Sequence, residues 1–345
     1  MKISVFDHVD RSDAPLAKQL DERLQYVAAV DDAGFYAYHV AEHHATPLNM
    51  VPVPGVYLGA VARATKRLRL GPLVYLLPLY SPLRLIEEIG ILDHLCHGRL
   101  DVGVGRGVSP FELNYHKVDP ETSRAVFVDA LDCMLAGLTH ERLTYHGKHF
   151  SYDNVPMEVR PLQQPYPPVW YPSSNETGPE FAGERGLHFS TLGSVERARA
   201  CVEAFKKGLA KRGTGPAVPK PEIPGGVVIG VNRQAVIADS DVDARRLAKP
   251  AFDRWYSSLS KLERENVAGP RYVTHVTGDM DAALKSGQMI AGSPDTVRAE
   301  IERQAREIGV NYMNFSLFFG TLALEDALRS VRLFAREVMP KLAAL

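Results

Sequence analysis

The chain of 345 residues has little excess charge, few cysteines and no long apolar run. Its formal net charge is −1 and it has no long basic stretch, which argues against a nucleic-acid partner. The three cysteines, Cys96, Cys133 and Cys201, are odd in number and widely spaced, so they predict neither a disulfide framework nor a metal site. No apolar run reaches the roughly 20 residues of a membrane helix, and the N-terminus lacks a signal-peptide design. We therefore expect a cytoplasmic protein without a membrane partner.

Two familiar nucleotide-binding patterns are also missing from the glycine-rich stretch 99–108, which reads RLDVGVGRGV. The dinucleotide fingerprint requires a third glycine where this chain has Val108, and no Gly-Lys-Ser/Thr sequence of a P-loop follows. The stretch alternates like a strand, then turns at glycines that flank Arg106, and a helix carrying Arg124 begins soon afterwards. This arrangement predicts an anion site at the carboxyl end of a strand. A plain glycine turn with surface arginines is the alternative.

A strand–helix alternation extends along the whole sequence. Eight strands alternating with helices predict a (β/α)8 barrel, which needs about 250 residues, and a doubly wound sheet is the alternative. The additional residues fall in an irregular insertion after the fourth helix (143–168, a surface hairpin and loop) and in a mobile lid at 263–288, so we expect one domain over 1–345. The predicted strands are 3–6, 35–41, 68–77, the stretch from 99, 169–171, 187–192, 225–237 and 310–318.

Glu42, His43 and His44 follow the second predicted strand. Together with His39 they match an H-x-x-E-H metalloprotease pattern, but that pattern requires a helix and here it continues a strand. In a barrel, ligands bind at the carboxyl ends of the strands. We therefore interpret this cluster as the polar wall of a ligand site, in which an imidazole can transfer a proton near pH 7. Histidines that are simply satisfied at the barrel mouth are the alternative. Trp255 lies in a predicted helix and is interpreted as core or lid packing.

Four sequence motifs in order resemble one known family. They are AEHH at 41–44, LDHLCHGR at 92–99 continuing into GRG at 105–107, SRA at 123–125, and EVMP at 337–340. Together they resemble the bacterial luciferase-like, flavin-dependent monooxygenases. This resemblance implies a (β/α)8 barrel that binds reduced FMN, with a non-proline cis peptide at Leu73-Val74 beside the flavin ring. It also implies catalytic roles for His43, His44 and Glu42, of which His43 is the preferred acid–base group. The implied phosphate-binding residues are Arg106, Val108, Arg124, Ser174, Asn175 and Gly178.

The resemblance further implies a two-component monooxygenase. A separate flavin reductase would supply reduced FMN, and O2 would oxygenate a small organic substrate such as an aldehyde, ketone or hydrocarbon. It implies a homodimer formed through the helices at 55–65 and 81–95. Two departures are evident: Gly105 replaces a reactive cysteine of the luciferases, which predicts more room in the pocket, and Ser174-Asn175 replaces Glu-Ser. A deazaflavin-dependent hydride-transfer enzyme, a non-catalytic flavin-binding protein and, more distantly, a zinc hydrolase are the alternatives.

Overall fold

A parallel β-barrel forms the centre of the protein. The computed structural model describes residues 1–175, 177–213 and 226–342. Nine strands pair in parallel in the order β3-β2-β1-β12-β10-β9-β8-β5-β4, β11 adds to the end of β10, and β6 and β7 form a separate antiparallel hairpin. The strands are β1 Lys2–Asp7, β2 Ala37–Val40, β3 Arg69–Pro72, β4 Tyr75–Leu76, β5 Val102–Gly105, β6 Arg142–His146, β7 Ser151–Pro156, β8 Val169–Pro172, β9 His188–Thr191, β10 Ile229–Ile237, β11 Met289–Gly292 and β12 Tyr312–Ser316.

The nine paired strands occupy eight positions of a nearly closed barrel. β3 and β4 are two parts of one strand, interrupted at Leu73-Val74, and both lie against β5. β1 pairs with β2 on one side and β12 on the other, so that Val5 lies opposite both Tyr38 and Phe315. The predicted (β/α)8 barrel is therefore confirmed, and the doubly wound alternative is wrong.

Helices surround the barrel, and most follow the predicted pattern. Local signals define their ends: Ser293 accepts a hydrogen bond from the Thr296 N–H before Pro294, and Gly309 ends the same helix in the left-handed conformation at φ 77°. The last helix continues through a π-helical turn, Phe334–Val338. The helices are α1 Leu16–Asp32, α2 Pro54–Ala64, α3 Pro82–Leu95, α4 Pro110–Tyr115, α5 Ser123–Thr139, α6 Gly178–Arg185, α7 Val195–Arg212, α8 Asp241–Leu259, α9 Lys261–Glu265, α10 Met280–Lys285, α11 Pro294–Ile308, α12 Leu324–Leu333 and α13 Met339–Leu342.

The main core lies between the strands and the surrounding helices. All four residues of β2, β5, β9 and β11 are buried, as expected of parallel strands covered on both faces. A smaller apolar cluster fills the barrel interior around Trp170 and Tyr312, whose ring centroids are 5.0 Å apart. This interior packing closes the lower part of the barrel and leaves the carboxyl ends of the strands for a ligand.

The structure differs from the sequence prediction mainly in the connections. The 143–168 insertion contains the predicted hairpin, β6–β7. The 263–288 segment was predicted without regular structure, but it contains the end of α9 and all of α10, whose start is capped by Asp279. α4 and β11 were missed because each is only four to six residues long, too short for a periodic pattern to be visible. The predicted start of the seventh strand, at residue 225, lies outside the described residues.

In the described part of the chain, the search for a helix long and apolar enough to cross a membrane finds none.

Candidate functional site

A cavity of about 440 Å³ opens at the carboxyl ends of the barrel strands. Residues from every barrel position contribute to its wall, from Phe6 and His8 at the end of β1 to Ser316 at the end of β12. The predicted site residues that line it are Glu42, His43, Leu73, Val74, Arg106, Val108, Ser174 and Asn175. The other three predicted residues, His44, Arg124 and Gly178, lie behind this lining. Most of the sequence-predicted site is thus gathered around one cavity.

The two histidines at the end of β2 contact different carboxylates. His43 Nδ1 donates to Glu112 Oε1 at 3.2 Å, and the ring also lines the cavity. His44 Nε2 donates to Glu42 Oε1 at 2.8 Å, and the His44 backbone N–H donates to Glu112 Oε2 at 2.8 Å. Because its Nδ1 is engaged by Glu112, His43 has Nε2 left for a ligand, whereas His44 serves to fix the turn.

The pKa values of the two carboxyl groups beside these histidines are shifted in opposite directions. Burial alone would lower the pKa of His43 and raise that of Glu112, but their mutual attraction outweighs burial, so the pKa of His43 is raised and that of Glu112 is lowered. Burial raises the pKa of Glu42, while hydrogen bonds from His44 and Tyr80 oppose that rise. The geometry therefore favours an imidazolium–carboxylate pair at His43 and Glu112, which places a protonated group at the cavity wall.

Glu112 was missed in the sequence analysis, although the sequence contains a signal for it. Ser109 and Glu112 have the Ser-x-x-Glu spacing of a helix start, with Pro110 between them at the first helical position. The Ser109 hydroxyl accepts the Glu112 N–H at 3.3 Å, which begins α4. The Glu112 side chain does not return to the helix start but extends to the histidine turn. That contact is tertiary, so the local pattern predicts the helix and not the ion pair.

His39 does not belong to the same site as His43. It lies inside the barrel, fully buried, with Nε2 hydrogen-bonded to the Tyr312 hydroxyl at 3.1 Å, and burial lowers its pKa to about 4. The H-x-x-E-H spacing therefore does not converge on one point, because the segment is a strand end rather than a helix. This geometry argues against the zinc-hydrolase alternative.

Two arginines lie near Tyr171, a residue that also lines the cavity. Arg124 stands 5.4 Å from the Phe181 ring centroid, and Arg106 lines the cavity at the end of β5. Burial raises the pKa of the Tyr171 phenol, while the charges of Arg124 and Arg106 oppose that rise, Arg124 also through a hydrogen bond. In the ranges that the structure describes, neither guanidinium has a carboxylate within 4.0 Å. Two cations without a described counterion, beside a glycine turn, suit a phosphate group.

The loop after β8 completes this end of the cavity. Asn175 Oδ1 accepts the Gly178 N–H at 2.7 Å and the Thr177 N–H at 3.1 Å, so Asn175 organises the start of α6. A Cβ at Gly178 would lie 2.2 Å from Ser173 Oγ, which explains the glycine. The Ser174 carbonyl accepts a hydrogen bond from Arg197 Nε at 2.9 Å. Ser174 and Asn175 reach the cavity, whereas the Gly178 N–H is already engaged.

The peptide bond between Leu73 and Val74 is cis, as the resemblance implied, and both residues line the cavity. That Gly105 leaves more room in the pocket stays a prediction. A Cβ built at Gly105 would lie 2.6 Å from Val74 Cγ2, so the valine side chain already occupies the space that a larger residue at 105 would need.

The late insertion forms part of the cavity wall through residues 272–276. Glu263 holds this segment, because its carboxylate accepts the backbone N–H groups of Tyr272 and, at 2.6 Å, Val273. Tyr272 also packs against Phe111 of α4, with ring centroids 6.1 Å apart. Trp255 of α8 lines the cavity as well, so its interpretation as core or lid packing was incomplete. The segment thus forms part of the cavity wall, and its role as a lid stays a prediction.

Comparison with known proteins agrees with this geometry. A family model described as luciferase-like monooxygenase matches residues 1–312. The chain belongs to the luciferase-like monooxygenase family. The predicted family and the predicted enzyme class, a monooxygenase, are therefore confirmed.

Two curated relatives span nearly the whole of this luciferase-like monooxygenase. An uncharacterised protein of Sinorhizobium fredii, y4wF, is 34% identical over 99% of this chain and 97% of its own. The oxygenase component of the flavin-dependent trigonelline monooxygenase of Acinetobacter baylyi is 26% identical over 99% of this chain and 95% of its own.

Solved structures support the fold. The monooxygenase RslO1 of Streptomyces bottropensis superimposes with a TM-score of 0.87 at 23% identity, covering 99% of this chain and 100% of that one. The oxygenating constituent of 3,6-diketocamphane monooxygenase from Pseudomonas putida, in complex with FMN, gives 0.78 at 20% identity, covering 99% and 98%. An F420-dependent secondary alcohol dehydrogenase gives 0.74 at 17% identity, covering 98% of each chain. Proteins with this barrel therefore include one solved in complex with FMN and another that depends on F420.

Proposed function

We propose that this protein is the oxygenase component of a two-component system, which uses reduced FMN and O2 to oxygenate a small organic substrate such as an aldehyde, ketone or hydrocarbon. One observation carries the proposal. Arg106, which has no described counterion, lines the same cavity as the His43–Glu112 pair, and Arg124 lies beside Arg106 at Tyr171.

The residues at the arginine end suit the phosphate of FMN. Arg106 and Arg124 would neutralise its charge, and Arg106 can donate two parallel hydrogen bonds. The phosphate would be surrounded by Ser174, Asn175, Val108 and the start of α6 at Gly178. The flavin ring would rest against Leu73-Val74. When bound, reduced FMN supplies the two electrons with which O2 is activated, so that one oxygen atom enters the substrate and the other leaves as water.

His43 is the acid–base residue in this proposal. Its pairing with Glu112 raises its pKa and so favours the protonated ring, and its Nε2 can hold or deliver a proton at the cavity wall. Glu42 and His44 act behind it, because their mutual hydrogen bond fixes the turn that carries His43. The lid segment excludes water from the reaction, which strengthens these electrostatic contacts.

A flavin reductase is the proposed protein partner. The glycine turn lacks a dinucleotide fingerprint, so reduced flavin would come from another protein. The helices α2 and α3 are the proposed dimer surface. Val56 and Ile91 on them are 77% and 51% exposed, an apolar exposure that a second copy would cover.

The proposal is tested by cofactor choice. Under anaerobic conditions the protein is titrated with reduced FMN and, separately, with a reduced F420-type deazaflavin, and O2 is then admitted. We expect reduced FMN to bind more tightly than the reduced deazaflavin. When substrate is present, we expect the protein to consume O2 and form product together. Preference for the deazaflavin, with substrate reduction that needs no O2, would replace the proposal with the hydride-transfer alternative. Tight FMN binding with no turnover in any substrate screen would favour the non-catalytic alternative.

A further inference from the structure

His8 occupies a distinctive place in the cavity. It follows β1 directly, and its ring lines the cavity beside the proposed acid–base residue. It stacks on His43 with ring centroids 5.9 Å apart and planes at 23°. Phe6 contacts it edge-on at 4.9 Å, and Trp255 lies 6.0 Å away. Three rings therefore fix the orientation of a side chain that the proposed chemistry does not yet use.

A buried ionic network holds the backbone around His8. Asp7 accepts the Val9 N–H at 2.7 Å and contacts Arg23 Nη1 through both carboxylate oxygens at 3.2 Å. Arg23 in turn pairs with Asp10 at 3.6 Å, and Asp10 accepts the Gly320 N–H at 2.8 Å. The His8 backbone is thus fixed from both sides, so the ring is preorganised for a ligand.

The imidazole of His8 is uncharged and has no hydrogen-bond partner among the residues that the structure describes. Burial lowers its pKa to about 3, and the charges of His43 and Arg23 act in the same direction. In the described part of the chain, neither ring nitrogen has a hydrogen-bond partner, and neither is sealed from solvent. Because the ring lines the cavity, a nitrogen is available there to a ligand atom.

We propose that His8 donates a hydrogen bond to the carbonyl oxygen of the substrate and thereby selects an uncharged, carbonyl-bearing apolar molecule over a plain hydrocarbon. This inference rests on the proposed function and narrows its substrate class. The neighbouring wall on α8 consists of Phe252, Trp255 and Leu259, which suit an apolar body. A charged ligand group would lose its hydration against these side chains and gain little electrostatic interaction to compensate. A substrate ammonium would also be repelled by protonated His43, whereas a carbonyl oxygen accepts from His8 without a charge.

The test compares two ligands of matched shape, cyclooctanone and cyclooctane, with the FMN-loaded protein. Dissociation constants are measured for the wild type, His8→Leu, which removes the donor, and His8→Gln, which keeps an N–H. His149→Leu is the control, because His149 is an exposed residue of the β6–β7 hairpin. A neutral hydrogen bond corresponds to about a 2- to 13-fold preference, so we expect the wild type to prefer the ketone by that factor and His8→Leu to lose the preference. His8→Gln and the control should retain it.

A second readout does not depend on affinity. In the wild type, adding cyclooctanone should shift the NMR signals of the His8 ring, whereas cyclooctane should leave the ring nitrogens unchanged. His8→Leu should raise KM for carbonyl substrates more than it lowers kcat. Equal ketone preference in wild type and His8→Leu, or no ketone preference in the wild type, would overturn the role of His8 while FMN binding persists. Loss of FMN binding and oxygen use in the wild type itself would instead refute the proposed function.

Discussion

Replacement of Arg106 by glutamine tests the proposed phosphate site. Arg106 is half-exposed and has no ion pair among the described residues, so its replacement should change the free energy of unfolding by no more than about 0.5 kcal/mol. A charge-assisted hydrogen bond from Arg106 to a phosphate would contribute about 1.5–3 kcal/mol to the free energy of FMN binding. The variant should therefore bind FMN about 10- to 150-fold more weakly than the wild type.

Riboflavin makes this experiment specific, because it has the same ring system and no phosphate. Dissociation constants for both ligands are measured by fluorescence quenching in wild type, Arg106→Gln and Arg199→Gln, a control on an exposed face of α7. Arg106→Gln should weaken FMN binding and leave riboflavin binding unchanged, so that the wild-type preference for FMN shrinks. Equal weakening of both ligands, or no weakening of either, would refute the assignment of Arg106 to the phosphate.

Three further predictions concern the histidine pair, the lid and the dimer. Glu112→Gln removes the charge that raises the pKa of His43, so the alkaline limit of activity should move to lower pH; an unchanged pH profile would contradict this. The stability lost in this variant, measured by urea unfolding, should be greatest between about pH 4.5 and 6.5. The loss should shrink as the pH rises through the raised pKa of His43 and as it falls through the lowered pKa of Glu112. Glu263→Ala frees the 272–273 backbone and should raise the fraction of O2 released as hydrogen peroxide, and the same peroxide yield as wild type would exclude a sealing role. Val56→Lys with Ile91→Lys should convert the proposed dimer to a monomer in light-scattering measurements, and a variant that stays dimeric would contradict the proposed surface.

The sequence predicted the barrel because each buried strand and each helix has its own local pattern. Strands such as β2 and β5 end in the polar or glycine-rich residues that the barrel rule assigns to the site. The division of β3 from β4 was visible only through the resemblance, at Leu73-Val74. The strand β11 was not predicted, since four residues following a loop carry too little periodic information.

The site was harder to predict than the fold, because its contacts join distant segments. Glu112 and His43 are 69 residues apart, and neither residue's neighbours indicate the ion pair. His8 is an isolated histidine at a strand end, and only the packing of Phe6, His43 and Trp255 around it distinguishes it from other histidines. Likewise, only the family resemblance separates His43 from His44 in the sequence, whereas in the structure His43 lines the cavity and His44 contacts Glu42.

We propose that this protein uses reduced FMN to insert an oxygen atom from O2 into an organic substrate. The most direct measurement supplies chemically reduced FMN and 18O2 to the protein with a panel of aldehydes, ketones and hydrocarbons, and determines the label in each product by mass spectrometry. We expect a product that carries one 18O atom per molecule and that does not form without the protein. Unlabelled reduced products formed with a reduced deazaflavin, and no labelled product with FMN, would contradict it.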